Sequence, residues 1–299
     1  DPPFPWLYPF AVTALTLPAP TLVLSLLGFF AILGNRLGRP VRSLAHVLGR
    51  LAGFRAGPDR PATNGDSPGR QDGWLLLLNA FIPLMIISVP SVPIFGGMKH
   101  WLHAMPFLCL LAGISLERAL ATLPSRIGRL RLTPSRAFGV IAPLALLPSL
   151  LGLLHMGNFG SSYYNEVAGG VSGAASLGMQ RQYWSNNVTG ILPWINESAP
   201  RSARLYLHEV NGECYRTYRR DGYLRPDLRM AWSPDHSDLT AYQYHREFVD
   251  TEYRVWNLLG HKKISHGLYI DEVPIILVYD LERSLSPSPR SRTRTSLPP

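Results

Sequence analysis

The sequence predicts a polytopic α-helical membrane region of four spans followed by a small external α/β domain. Three observations carry that prediction. Four long apolar stretches nearly free of charge lie within residues 1–155, and arginine-rich connectors follow the first and the third of them. Beyond residue 155 the composition turns to that of a water-soluble chain, with short segments that alternate as strands and helices do. At 299 residues the chain has room for two average domains. The expected division is a membrane region over 1–155, an external domain over 156–281 and a Ser/Pro/Arg tail over 282–299, whose composition reads as disordered.

A membrane helix needs about 20 mostly apolar residues to cross roughly 30 Å of hydrocarbon. Residues 10–33, 74–92, 101–116 and 138–154 are the expected spans. Their prolines (Pro18, Pro20, Pro83, Pro106, Pro143 and Pro148) are tolerated in membrane bundles and costly in soluble helices. Arg36, Arg39, Arg42, Arg50, Arg55, Arg60 and Arg70 fall between the first two stretches, and Arg126, Arg129, Arg131 and Arg136 between the last two. The positive-inside rule makes both connectors cytoplasmic, so the 93–100 turn and everything after His155 are expected outside. Most of the net charge of +9 is thereby a topology signal, and no nucleic-acid partner is expected. Cys109 lies in an apolar run and Cys214 in the soluble half, so no disulfide joins them. The opening "DPPFPWLYPF" has neither an initiator Met nor a signal-peptide flank, and the chain reads as a fragment.

The stretch "FGGMKHWLHAMPFLCLLAG" sets Lys99, His100 and His103 against the third apolar run. On an α-helix positions 99 and 103 lie one turn apart, and 100 and 103 share a face. Three readings compete. Lys99 beside Trp101 fits an interfacial anchor that reaches for headgroups. A metal site needs a third ligand, and no carboxylate stands nearby in sequence. A cationic grip on a phosphate suits Lys and protonated His, with the Gly96 and Gly97 amides free to approach the same anion. Glu166, the carboxylate that follows the fourth apolar run, reads as a further contact on the outer face, more structural than catalytic.

In the external domain, 203–208, 228–233 and the start of 239–248 read as strands, and 212–224 and 248–259 as helices, with Gly260 as a natural stop. A final pair of strands closes around Asp271 and Glu272. The "GGVSGAASLG" stretch misses GxGxxG and reads as tight turns rather than a phosphate loop. Asn187-Val188-Thr189 and Asn196-Glu197-Ser198 are glycosylation sequons.

The runs "PWLYPFAVTALTLPAPTLVLSLLG", "FGGMKHWLHAMPFLCLLAG", "SSYYNEVAGGVSGAASLGMQRQYW", "VDTEYRVWNLLG" and "DEVPIILVY" together resemble the C-terminal half of family 39-type membrane glycosyltransferases. These are relatives of protein O-mannosyltransferases and of aminoarabinose transferases. The resemblance implies a GT-C-like membrane fold and a polyprenyl-phosphate-linked sugar as donor. It implies membrane lipid as surroundings and transfer on the outer face to a protein, lipid or glycan acceptor. It places Lys99, His100 and His103 at the leaving phosphate. The family's acidic catalytic loop follows an earlier span, so no catalytic residue is expected in this chain, which is expected to be inactive alone. No cofactor is expected within it. Two other readings remain open: a non-catalytic, membrane-anchored module binding glycan or protein, and a transporter component, the latter disfavoured by spans almost without charge.

Overall fold

The computed structural model describes residues 6–37, 68–92, 96–121, 126–127, 130–131, 133–183, 185–244, 248–260 and 263–280. Most of the first arginine-rich connector and the Ser/Pro/Arg tail lie outside these residues. The chain divides into two compact units, Asp1–Gly170 and Val171–Pro299.

The first unit is helical. It contains α1 (Tyr8–Thr16), α2 (Ala19–Leu37), α3 (Pro68–Ile87), a 3-10 turn (Met98–Ala104), α4 (Met105–Ala121) and α5 (Pro134–Met156), with a small antiparallel pair, β1 (Arg126–Ile127) and β2 (Leu130–Arg131), before α5. Thr133 caps α5 by accepting the Arg136 amide, and Pro134 begins it. The expected four-span region is overturned. Among the described residues two helices are long and apolar enough to cross a membrane, Met98–Ala121 and Ser135–Ser162. The first expected span breaks at Pro18 into α1 and α2, because a proline cannot continue the hydrogen-bond ladder. The apolar parts of α2 and α3, Ala19–Gly34 and Asp72–Ile87, are 16 residues each. At 1.5 Å per residue that is about 24 Å, short of a hydrocarbon core of about 30 Å.

Helices α2 and α4 form the centre of this unit. Ser25 Oγ donates to the Leu108 carbonyl at 2.7 Å, and Ser115 Oγ donates to the Leu24 carbonyl at 2.6 Å. Between these reciprocal bonds Gly28 lies against Leu111, where any Cβ would collide with the Leu111 carbonyl and the Ser115 hydroxyl. Small residues and hydroxyls at a close helix crossing are the usual means of holding helices together in lipid. Phe29 packs on Phe81 of α3 at 4.4 Å, joining the third helix to the pair. Helix α5 is different: only 6% of its most apolar stretch is buried, and Leu144, Leu147, Leu151 and Leu154 are all exposed. A helix that is apolar on every side and packed on almost none matches a lipid surround.

The second unit is built on a five-stranded mixed sheet of order β4-β3-β5-β7-β6, with small helices around it. In chain order it has α6 (Gly170–Ser176), α7 (Leu192–Ser198), β3 (Arg204–Leu207), α8 (Gly212–Arg220), β4 (Arg229–Met230), β5 (Leu239–Gln243), α9 (Val249–Leu259), β6 (His266–Ile270) and β7 (Val273–Asp280). Strand β3 runs parallel to β4 and β5, and β7 is antiparallel to both β5 and β6. Every residue of β5 is buried, as expected of a strand covered on both faces. Asn211 caps α8 by accepting the Cys214 amide at 2.8 Å, and Gly260 ends α9 in the left-handed region (φ 66°). The β6–β7 hairpin turns at Asp271 and Glu272, both left-handed (φ 48° and 66°), the pattern of a two-residue hairpin turn. Before β4, Arg225 holds Asp227 by two bonds and also donates to the Asn196 and Pro200 carbonyls. Asp227 in turn accepts the amide of Ser202 at 2.8 Å.

Gly28→Ala should destabilise the first unit by about 1–3 kcal/mol through overpacking, lowering Tm of the chain in detergent. Gly113→Ala, with open space around it, serves as the control and should not lower Tm. Hydrogen bonds from Arg225 and from the Ser202 amide hold the Asp227 carboxyl down to about 2 from an ordinary 3.8. Because the folded state binds this proton less readily than the unfolded chain, the contribution is complete above 3.8 and fades as pH falls to about 2. An acid titration of folded signal should therefore show a shallower loss in that window for Asp227→Asn than for the parent.

Candidate functional site

Glu166 and the 96–104 turn, both singled out by sequence, contact α1 or the start of α2 on either side of the break between them. Pro18 and Pro20 have no amide hydrogen, so the carbonyls of Ala14 and Thr16 lose their helical donors, and the change of direction frees those of Leu15 and Leu17. Asn165, 1% exposed, supplies much of what is missing. Its Nδ2 donates to the carbonyls of Ala14 (2.7 Å) and Leu17, and its own amide donates to Leu15 (2.8 Å). Its Oδ1 accepts the Ala168 amide at 3.0 Å, which closes the loop that carries it. Glu166, exposed, extends Oε2 toward the Ala19 amide at 3.4 Å, where a carboxylate meets the positive end of α2. The structure thus places Glu166 as a helix-end partner.

The other side of the break is held by the 96–104 turn. Gly96 and Gly97 are both left-handed (φ 78° and 76°) and buried, a path open to glycine without strain. The Gly97 amide donates to Tyr8 Oη at 2.9 Å, so it is committed within the fold and does not serve an incoming anion. Trp101 is completely buried, with its ring edge-on to Tyr8 and its Nε1 donating to Thr13 Oγ1 at 2.8 Å. Met98 Sδ lies 2.8 Å from Thr16 Oγ1. These contacts fix the backbone from which the candidate side chains project.

The turn is 3-10 in character, with a kink at Trp101, rather than α-helical. Its burial repeats every three residues: Trp101 and Ala104 are buried and Met98 partly so, while Lys99 and Leu102 are exposed. His100, half-buried, and His103, exposed, keep the shared three-residue spacing. Lys99 and His103 do not share an α-helical face, because a 3-10 turn advances by three residues where the α-helix would bring position 103 over 99. Among the described residues no three His, Cys, Asp or Glu side chains come together as a metal-holding group.

The "GGVSGAASLG" stretch forms the short helix α6 between left-handed Gly169, Gly170 and Gly178. Both sequon asparagines are engaged in the fold. Asn187 is 0% exposed. Asn196 donates Nδ2 to the Tyr223 carbonyl and accepts the Arg225 amide on Oδ1, each at 2.9 Å. Asn165 and Tyr8 are the residues that reading the sequence missed. The Pro18–Pro20 pair announces orphaned carbonyls, but nothing local announces a partner some 150 residues away.

No family model, curated protein or solved structure matches the chain.

Asn165→Ala leaves buried carbonyls without donors and should cost about 2–4 kcal/mol. A fall in Tm in detergent, with faster proteolysis near 163–170, is the expected readout, and an unchanged Tm would remove Asn165 from this role.

Proposed function

We propose that the chain is part of an integral-membrane glycosyltransferase that uses a polyprenyl-phosphate-linked sugar on the outer face of the membrane. The observation that carries this reading is a rigid turn bearing Lys99, His100 and His103 at one end of a membrane-length apolar helix. The family resemblance of the motifs supplies the choice of donor. Both helices, Met98–Ala121 and Ser135–Ser162, cross the bilayer in this reading. The short connector between them carries Arg126, Arg129 and Arg131, with Arg136 at the start of the next helix, and stays inside. The Met98 end, the Ser162 end and the unit after Gly170 then share the outer compartment.

Transfer from such a donor breaks the bond between the anomeric carbon and a phosphate oxygen, and negative charge grows on the leaving phosphate. Lys99, a compact cation on a flexible stem, meets that charge at headgroup depth, and the His100 and His103 imidazoles add hydrogen-bond donors. The acceptor hydroxyl needs a base. Glu166 is directed to the end of α2 and is not assigned this role.

Binding of polyprenyl phosphate to the chain in nanodiscs, with inorganic phosphate as competitor, tests the reading. Lys99→Ala should weaken binding about tenfold or more, one lost charge-assisted contact being worth 1.4 kcal/mol or above. Lys99→Arg should retain most of it, and His100→Ala or His103→Ala should have smaller effects. Equal affinity of Lys99→Ala and parent for the lipid would sink the proposal.

A further inference from the structure

The carboxyl ends of parallel strands β3 and β4, in the second unit, open onto a cluster of aromatic and charged side chains. Trp232, just past β4, is 79% exposed. Its indole lies beside Gly212 at the start of α8, where a Cβ would stand 3.2 Å from the ring and close to Arg216 and Met230. The absent side chain at 212 therefore gives the indole a seat while leaving most of the ring in solvent. The next turn carries Asp235, which pairs with Arg254 of α9, and Arg254 also reaches Ser233 Oγ at 3.5 Å. Past β3, Glu209 is exposed and held in the left-handed region (φ 59°), a conformation costly for a residue with a Cβ. Burial raises the Tyr206 phenol on β3 above its ordinary value, with Glu209 adding to the rise and Arg254 opposing it.

We propose that this cluster binds a neutral carbohydrate, with Trp232 stacking on a sugar ring and Glu209, Asp235 and Arg254 taking its hydroxyls. In open sheets with parallel strands, ligands enter outside the carboxyl ends of those strands. An exposed indole offers a flat apolar face to the C–H side of a pyranose, while carboxylates and guanidinium groups supply the acceptors and donors that paired hydroxyls need. Charge argues for a neutral ligand. Glu209, Glu213 and Asp235 outnumber Arg216 and Arg254, and Glu213 and Arg216 pair directly, so the patch lacks the basic excess by which a surface grips anionic lipid. The site lies in the second unit, and it stands whether or not the glycosyl-transfer reading does.

The test uses the whole chain in detergent micelles, with maltohexaose and mannohexaose as probes and tryptophan fluorescence and calorimetry as readouts. At least one oligosaccharide should bind, and Trp232→Ala should weaken it about tenfold, the worth of one aromatic stack. Gly212→Ala, which displaces the indole without removing it, should also weaken binding. Tm should be unchanged for Trp232→Ala, since the ring is exposed. Arg254→Ala provides a second variant away from the indole and should lower affinity too. Absence of binding by both oligosaccharides, or parent-like affinity in Trp232→Ala, overturns the proposal. Trp232-dependent binding to vesicles of mixed neutral and anionic phospholipid without binding to sugar would also overturn it, in favour of a membrane contact. None of these outcomes depends on polyprenyl phosphate or on Lys99.

Discussion

Backbone carbonyls left without donors at Pro18 are the constraint from which the first unit follows. A buried carbonyl without a donor costs roughly 1–3 kcal/mol, and the break exposes several at once. Asn165 answers with three donated hydrogen bonds, two from its side chain and one from its amide. That single residue draws the segment after α5 back onto α1 and α2, which is why the division between units falls after Gly170 and not at the end of the apolar helix. The opposite flank of α1 carries the buried Trp101 and the Tyr8–Gly97 bond. Removing the break would remove the reason for both flanks to meet there.

The two units answer to different surroundings. In the second, apolar side chains go to the interior: Tyr242, Val255, Leu259, Leu277 and Tyr279 form one cluster, and the ring of Trp256 closes it with an Nε1 bond to Tyr279 Oη. In the first, packing between α2 and α4 relies on hydroxyls and a glycine, while leucines of α5 face outward. Where leucine is not driven inward, close approach and hydrogen bonding must hold the helices together. The exposure of α5 and the composition of the α2–α4 crossing are thus two expressions of one condition.

Much of the second unit was legible. Strong local signals mark its elements: alternation in β3, the Gly260 stop, and the Asp271–Glu272 pair between two apolar runs all lie where the sequence puts them. The first unit was less legible because apolar content measures a stretch without measuring a helix. The run from 10 to 33 looks continuous by composition, yet Pro18 divides it, and its two pieces persist because a residue far along the chain satisfies them. The same limit applied at the candidate site. Lys99, His100 and His103 were found from their contrast with the apolar run, but their relative directions depended on a 3-10 turn set by Trp101 and the paired glycines. Glu166 was visible as a carboxylate, whereas its position at α2 required Asn165 first. Trp232 had no signal at all, since nothing in a sequence separates a tryptophan that will be buried from one left in solvent.

The two sequons illustrate how a fold changes the meaning of a short motif. The Asn196 amide is bound at both ends by the Tyr223–Arg225 stretch, and Asn187 is shut inside the unit. A sugar can be attached to either nitrogen only while the chain is still open, in the case of Asn196 before residues 223–225 arrive. In a compartment equipped for N-glycosylation, the modified fraction would then act as a stopwatch for this unit. Slow closure would be recorded as a heavier chain and rapid closure as a bare one. A glycan once attached at Asn196 would have to displace the Tyr223 bond, so the marked molecules would also be the ones least able to finish folding.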